Sequence, residues 1–276
     1  MISPMKPIRT IFALLITLSF LTPEVLKAQT GISVSPPRTY FTLDAGQTET
    51  KTVLVSNPSK TNTLELSVSF NDWQYDQYGN NVVSDAGTLA TSNVSWINVL
   101  PQSFFSLAPG ASHELRVQMK VPENIDTSVP VHTSMMYITQ INPSDGVNEQ
   151  GANIKIAVRS GVKIYHRFAS NRQPSVEISN FAYNKGENPE RIKISFNNDG
   201  NVWADGTISC DLLNQDTGKK IKLDDVVFYS MPGDKRDIYL QLPETLEKGK
   251  YIATALIDYE DASAVKLAEL AFTYEK

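Results

Sequence analysis

The chain has 276 residues but one cysteine, Cys210, and three histidines. A lone cysteine excludes an internal disulfide, so any fold must be held by its own apolar cores. Cys210 lies in the strand-like run Trp203–Leu213 and is expected as a small buried hydrophobe. His113, His132 and His166 sit in separate segments, without the spacing of a His-Glu-x-x-His metal site. No glycine-rich phosphate loop and no Gly-x-Ser-x-Gly elbow occurs, which removes the common signatures of nucleotide binding and acyl hydrolysis. The sequence reads as a non-enzyme that takes no cofactor and no metal. Excess positive charge is missing too. The net charge is −5, which gives no electrostatic reason to bind nucleic acid.

No apolar run reaches the roughly 20 residues that span a bilayer. The longest, Ile11–Leu21, follows Lys6 and Arg9 and precedes Leu26-Lys27-Ala28. A positive start, a short apolar centre and a small residue at the cut predict an export signal over 1–28, removed after Ala28. Its removal takes away Lys6, Arg9 and Lys27 against Glu24 alone, so the remainder is more acidic.

What is present is strand. Short runs alternate Val, Ile, Thr, Tyr and Phe with polar residues, as in 50–56, 64–70, 114–120, 191–196, 237–242 and 250–257. Turn signals separate them: Asp44-Ala-Gly46, Asn57-Pro58, Tyr78-Gly-Asn80, Ala108-Pro-Gly110, Asn198-Asp-Gly-Asn201, Asp216-Thr-Gly218 and Pro232-Gly-Asp234. This spacing predicts an all-β chain of β-sandwiches. Residues 263–270 could pass for a helix, but Phe272 and Tyr274 extend them as a strand. The polar stretch Phe168–Gln173, closed by Pro174, predicts a linker over 168–173. It would separate a first domain at 29–167 from a second at 174–276. The two halves share a loose plan. Each has a strand ending in asparagine (Asn57; Asn198), then a Pro-Gly turn (Pro109-Gly110; Pro232-Gly233) before an amphipathic strand.

Isolated chemical signals have plain explanations. Asp258-Tyr-Glu-Asp261 lacks the ordered ligand pattern of a calcium loop and reads as a solvated turn. Asn93-Val-Ser95 matches a glycosylation sequon. Trp73, Trp96 and Trp203 read as core aromatics. Two features stand apart. Ile154-Lys-Ile156-Ala-Val158 alternates and then runs on to Lys163 and Arg167, as one strand with an apolar face. Arg38 follows Ser35-Pro-Pro37 at the start of a strand. If these first and last strands of the first domain meet, Arg38 and Lys163 approach each other, and a carboxylate is the simplest anion to hold them together. Lys163 is five residues beyond Val158, which places it on the opposite face unless a bulge intervenes. Gly161 predicts such a bulge near Ser160-Gly161.

At these residues the chain resembles the periplasmic pilus (fimbrial) chaperone family. Pro37-Arg38-Thr39-Tyr40-Phe41 matches the family's N-terminal arginine before a strand. Val53-Leu-Val-Ser-Asn57-Pro58 matches its next strand. Pro101-Gln-Ser-Phe104-Phe-Ser-Leu107-Ala-Pro109-Gly110, followed by Leu115-Arg116-Val117, matches its Pro-Gly block. Ile154, Ile156, Val158, Lys163, Tyr165 and Arg167 match its last strand of the first domain. The resemblance implies two immunoglobulin-like β-sandwich domains in tandem, at an angle, working in the periplasm. It implies donor-strand complementation: Ile154, Ile156 and Val158 would complete a pilus or surface β-subunit that lacks a strand. Arg38 and Lys163 would anchor that subunit's C-terminus. An outer-membrane assembly protein and a self-capping dimer are further expected partners. Departures are a short loop at 142–151, Pro143 alone where the family has a proline pair, the polar stretch 76–91, and no cysteine pair in the second domain. The alternative is a structural surface protein of tandem immunoglobulin-like domains, with Ile154, Ile156 and Val158 turned into its own core. Exposure of those side chains separates the two readings.

Overall fold

The computed structural model describes residues 31–169, 172–186, 189–259 and 265–275. The export signal 1–28, part of the linker 168–173, and Glu260 and Asp261 of the carboxylate turn lie outside the described residues. The chain is all-β. Its first half holds β1 (Ser33–Ser35), β2 (Arg38–Thr42), β3 (Thr48–Ser56), β4 (Leu64–Tyr75), β5 (Asn81–Ser84), β6 (Ile97–Leu100), β7 (Phe104–Leu107), β8 (Ser112–Lys120), β9 (Val131–Gln140), β10 (Ser144–Val147), β11 (Asn153–Ile156) and β12 (Arg159–Arg167). Its second half holds β13 (Val176–Asn184), β14 (Arg191–Asn198), β15 (Ala204–Asn214), β16 (Lys220–Lys222), β17 (Val226–Ser230), β18 (Lys235–Gln241), β19 (Gly249–Tyr259) and β20 (Lys266–Tyr274).

Alternation decides which side chains go inside. In the first sandwich a sheet ordered β1-β3-β8-β6 packs on one ordered β2-β12-β9-β4-β5. Phe41, Val53, Val55, Leu66, Leu115, Val117, Met136, Ile138, Val162 and Ile164 form the layer between them. In the second, β13-β14-β18 faces β16-β15-β19-β20 over Val176, Ile194, Phe196, Ile208, Phe228 and Ile257. Cys210 is buried in this second core, as expected. The two halves share more than a loose plan. Asn57 and Asn198 are both buried at strand ends. The Asn57 carbonyl accepts the Gly110 N–H at 3.0 Å, and the Asn198 carbonyl accepts the Gly233 N–H at 2.8 Å. Each side-chain amide also closes a turn. Asn57 donates to the Leu107 carbonyl at 3.0 Å and Asn198 to the Val202 carbonyl at 3.1 Å.

Two expectations need correction. The stretch 154–167 is not one strand. β11 pairs only with β10, in a separate ribbon, while β12 pairs with β9 and β2. Val158 falls between them. The cause lies in the partner strand: Ile141 to Pro143 are spare residues there. Ile141 N–H goes to the Glu65 carbonyl at 2.9 Å, and the Asn142 side chain bonds Glu65 and Thr63. The second correction follows. No bulge occurs at Ser160-Gly161, because β12 pairs with β9 without a slip from Arg159↔Thr139 to Arg167↔Val131. Lys163 therefore stays on the face opposite Val162 and Ile164.

Candidate functional site

The parallel pairing of β2 with β12 sets Arg38 and Lys163 abreast, as register partners. The first and last strands of the first sandwich do meet, and both cations point away from its core. Behind them is a third apolar cluster, between the two cores, of Trp73, Met135 and Tyr165, with Tyr75, Tyr137, Trp203 and Met231 packed on it. Trp96 is a core aromatic, as expected. Trp73 is buried in this cluster instead, its indole N–H donating to the Ser134 carbonyl at 3.0 Å. Trp203 is half-buried against Tyr40 and Tyr165, ring centroids 5.3 and 5.4 Å away.

The cations rest on rings. Lys163 Nζ lies 4.0 Å from the Trp73 ring centre and donates to Tyr75 Oη at 2.8 Å. The Arg38 guanidinium lies 4.0 Å over the Tyr229 ring of the second half. A third cation enters from β18. Arg236 is buried, lies 5.1 Å over Tyr75 and donates to the Tyr229 carbonyl. Among the described residues no carboxylate is ion-paired with Arg38 or Lys163, and Arg38 Nε is buried with no partner. Cation–ring contacts offset part of the desolvation but leave the positive charge uncancelled. Burial, then the neighbouring Arg38 and Arg236, hold Lys163 down at about 8. Burial also pushes the Tyr75 and Tyr165 phenols up. They stay neutral donors and acceptors around the cations. The arrangement attracts one small anion and gives it directional donors.

Beside the pair runs an open strand edge. β2 covers β12 only from Lys163 onward, and Lys163 N–H bonds the Pro37 carbonyl at 3.1 Å. Pro36 and Pro37 have no N–H to extend the ladder, and β1 before them crosses to β3 in the other sheet. Among the described residues the edge from Asn153 to Val162 therefore has no strand on that side. Ile154 and Ile156 are 38% and 41% exposed, and Val158 is half-buried. They do not enter the protein's own core.

Arg236, Tyr75 and Tyr229 belong to this site without any sequence signal of their own. The polar stretch 76–91 bears on it as well. It contains β5, paired with β4, and buried Asp72 ties it down through Thr88 N–H, Leu89 N–H and Ser92 Oγ at 2.7, 2.9 and 2.6 Å. The structure also brings His132 and His166 together as buried register partners, ring centroids 5.5 Å apart and packed on Trp96. Among the described residues no cluster of three metal-ligating side chains occurs. No described helix is long and apolar enough to cross a membrane.

No protein-family model matches the chain, and no curated protein matches it. Among solved structures it is similar to the class 5 fimbriae chaperone CfaA, at 16% identity over 89% of this chain and 100% of that one, with a TM-score of 0.48. It is similar to the CupB2 chaperone of Pseudomonas aeruginosa, at 13% identity over 87% of this chain and 99% of that one, with a TM-score of 0.43. A chain of the Salmonella enterica SafA pilin in complex with the SafB chaperone is also similar, at 14% identity over 89% of this chain and 97% of that one, with a TM-score of 0.43.

Proposed function

We propose that the protein is a periplasmic, non-enzymatic chaperone that caps incomplete β-subunits of a pilus or other surface fibre by lending them a strand. One observation carries this reading. Two cations from different strands, Arg38 and Lys163, stand in register with no acidic partner among the described residues, at the end of an open strand edge that exposes Ile154 and Ile156. An open edge with exposed apolar residues is an aggregation liability unless a partner covers it.

In this reading the client's last strand pairs with the edge from Asn153 to Val162. Backbone hydrogen bonds supply affinity, and alternate side chains supply register. Ile154, Ile156 and Val158 are the donated side chains, each contributing about 1.5–3 kcal/mol when fully buried by the client. The client's C-terminal carboxylate sits on Arg38 and Lys163 and fixes where pairing starts. Pro37 ends the open slot at that point. The working units are 29–167 and 174–276, joined by 168–173, after loss of 1–28 on export. No cofactor takes part. An outer-membrane assembly protein that receives the client, and a dimer of this chain that covers the edge in its absence, belong to the same reading. A purely structural surface module leaves the exposure of Ile154 and Ile156 unexplained.

The test uses the mature protein as bait in envelope extract of its own cells, with captured proteins identified by mass spectrometry. Wild type should capture a β-rich surface subunit. Arg38→Ala/Lys163→Ala should lose it, and so should a client shortened at its C-terminus. Equal capture by wild type and the double variant would remove the carboxylate anchor. No capture by a folded wild type, in cells expressing surface subunits, would leave the structural module.

A further inference from the structure

The alternation that turns Val162 and Ile164 into the first core turns His166 inward as well, and its register partner on β9 is His132. The pair closes the end of that core from which the linker leaves. His132 is 2% exposed and His166 0%. Trp96 packs on both rings, with centroids 4.4 and 5.2 Å away. Phe168, the first residue of the expected linker, meets both edge to face at 6.0 and 5.1 Å. His166 Nε2 lies 2.9 Å from the Leu43 carbonyl. A carbonyl only accepts, so Nε2 carries the proton of the neutral ring. Among the described residues, Nδ1 of His166 and Nδ1 of His132 are both buried without a partner. A second proton on either ring would put an N–H and a charge where nothing accepts them. The charged groups around the pair do not relieve this. Burial, then the His166 ring, hold His132 at about 4, and Asp126 before β9 opposes them only in part. Burial likewise holds His166 below its ordinary 6.5, against the Leu43 carbonyl and Asp44 after β2. Arg167, beside His166 on β12, lies over the Trp203 ring, and Lys51 of the facing sheet lies over the Phe41 ring. Arg38 and Lys163 are on the outer face of their strands.

What the pair holds is the root of the linker. Leu43 N–H donates to the Arg167 carbonyl at 3.1 Å, and Ala169 N–H donates to Asp44 Oδ1 at 3.0 Å. Phe168 also lines a cavity of about 420 Å³ with Asp44, Thr127, Pro130 and, from the second half, Val202, which gives water and a displaced ring somewhere to go. We propose that His132 and His166 form an acid-sensitive latch on the linker. With both rings neutral, Phe168 stays in the end of the first sandwich. When either ring takes a second proton, water enters through the cavity, Phe168 leaves the pair, and the linker side of the cleft loosens while both cores stay folded. The sign follows from linkage. The opened state takes protons near 6.5 and the closed state only near 4 at His132, so the closed state loses stability as pH falls through 6.5 toward 4.

Amide hydrogen exchange of the mature protein, followed by mass spectrometry from pH 7 to 5, tests the latch once the intrinsic pH dependence of exchange is divided out. Segments 41–45 and 165–169 should lose about tenfold or more of their protection over that range, the ceiling being about tenfold per pH unit for each histidine. Segments 115–119 of the first core and 253–257 of the second should keep theirs. The double variant His132→Gln/His166→Gln should keep protection flat in all four, because a glutamine amide can still donate to the Leu43 carbonyl but takes no charge. Should that variant fail to fold, the imidazole resonances of wild type decide, since the loss of protection must then coincide with titration of two of the three histidines. Protection unchanged down to pH 5 would overturn the latch, and so would equal loss in the core segments. A folded double variant that loses protection as wild type does, or a loss in wild type without histidine titration, would overturn it too.

Discussion

Lys163 is the residue on which the site's electrostatics converge. It is held at about 8, against an ordinary 10.5, by burial first and then by Arg38 and Arg236. Two consequences of opposite sign follow. The unfolded chain keeps the Lys163 proton up to about 10.5, while the folded protein releases it near 8. Between those values the unfolded state binds more protons, so the Lys163 contribution to stability rises with pH across that window. Client binding should do the reverse. A carboxylate needs the charged amine, so affinity should fall above pH 8, by at most about tenfold per pH unit. Tyr40, Tyr75 and Tyr165 do not confuse the profile, because burial pushes all three phenols up. A peptide with a free carboxylate, titrated from pH 7 to 10, checks this. The Lys163→Arg variant should flatten the fall, because arginine stays charged throughout. A wild-type profile that is flat to pH 10 would remove Lys163 from the anchor. Arg38 and Lys163 are legible in the sequence because Arg38 opens a strand directly after Pro36-Pro37 and Lys163 lies within a long alternating run that ends in Tyr165 and Arg167. Arg236 is not, because nothing near it differs from an ordinary amphipathic strand. Only the packing of β18 against the tip of the β4–β5 hairpin brings it to Lys163.

At the scale of elements, β11 and β12 show where alternation stops being informative. Ile154, Ile156, Val158, Val162 and Ile164 all fall on even positions, so the period continues through the break and hides it. The break is set on the partner side, where β9 and β10 are separated by three residues and β12 and β11 by two. Gln140 bridges the mismatch, its backbone N–H bonding the Val158 carbonyl at 2.9 Å and its side chain the Asn142 carbonyl at 2.7 Å. The bulge expected at Gly161 is unnecessary. The anchor lies on the outer face of β12, Ile154 and Ile156 lie on a ribbon beyond it, and Val158 lies between the two. The ribbon contributes little to the fold. Ile154→Asp and Ile156→Asp should each change unfolding free energy by no more than about 0.5 kcal/mol, the range of ordinary surface substitutions. The same changes should abolish client capture. Chemical denaturation and the capture assay, run on the same preparations, check both halves. A loss of several kcal/mol would place these side chains in the protein's own core and favour the structural module.

For the molecule as a whole, the cleft depends on how the two sandwiches are held, and the β4–β5 hairpin holds them. Its tip follows from local rules. Asp76 accepts the Tyr78 and Asn80 N–H groups at 2.8 and 2.9 Å, and Gly79 takes a φ of +89° that suits glycine. At that tip the Gln77 carbonyl accepts the Asp237 N–H of β18 at 2.8 Å. The Arg236 guanidinium lies directly against Gly79, where a Cβ would collide with it. The sequence shows this stretch as a polar insertion with a turn. Its role is invisible there, because the contacts join residues about 160 positions apart, a separation no local pattern reports. Arg236 thus serves twice, as a tie between sandwiches and as a charge beside Lys163. Removing it should leave both cores folded, since neither core contains it. The Arg236→Ala variant should loosen the tie and, by deleting a repelling cation, let Lys163 rise from about 8 toward its ordinary value. Spin labels on the exposed positions Ser112 and Lys222, one on each sandwich, report the first effect. Cys210 is 1% exposed and should take no label. Arg236→Ala should broaden the distance distribution, and Gly79→Ala, which forces the guanidinium out, should broaden it in the same way. A distribution as narrow as wild type in both variants would mean that the aromatic contacts of Tyr40, Tyr165 and Trp203 set the cleft alone.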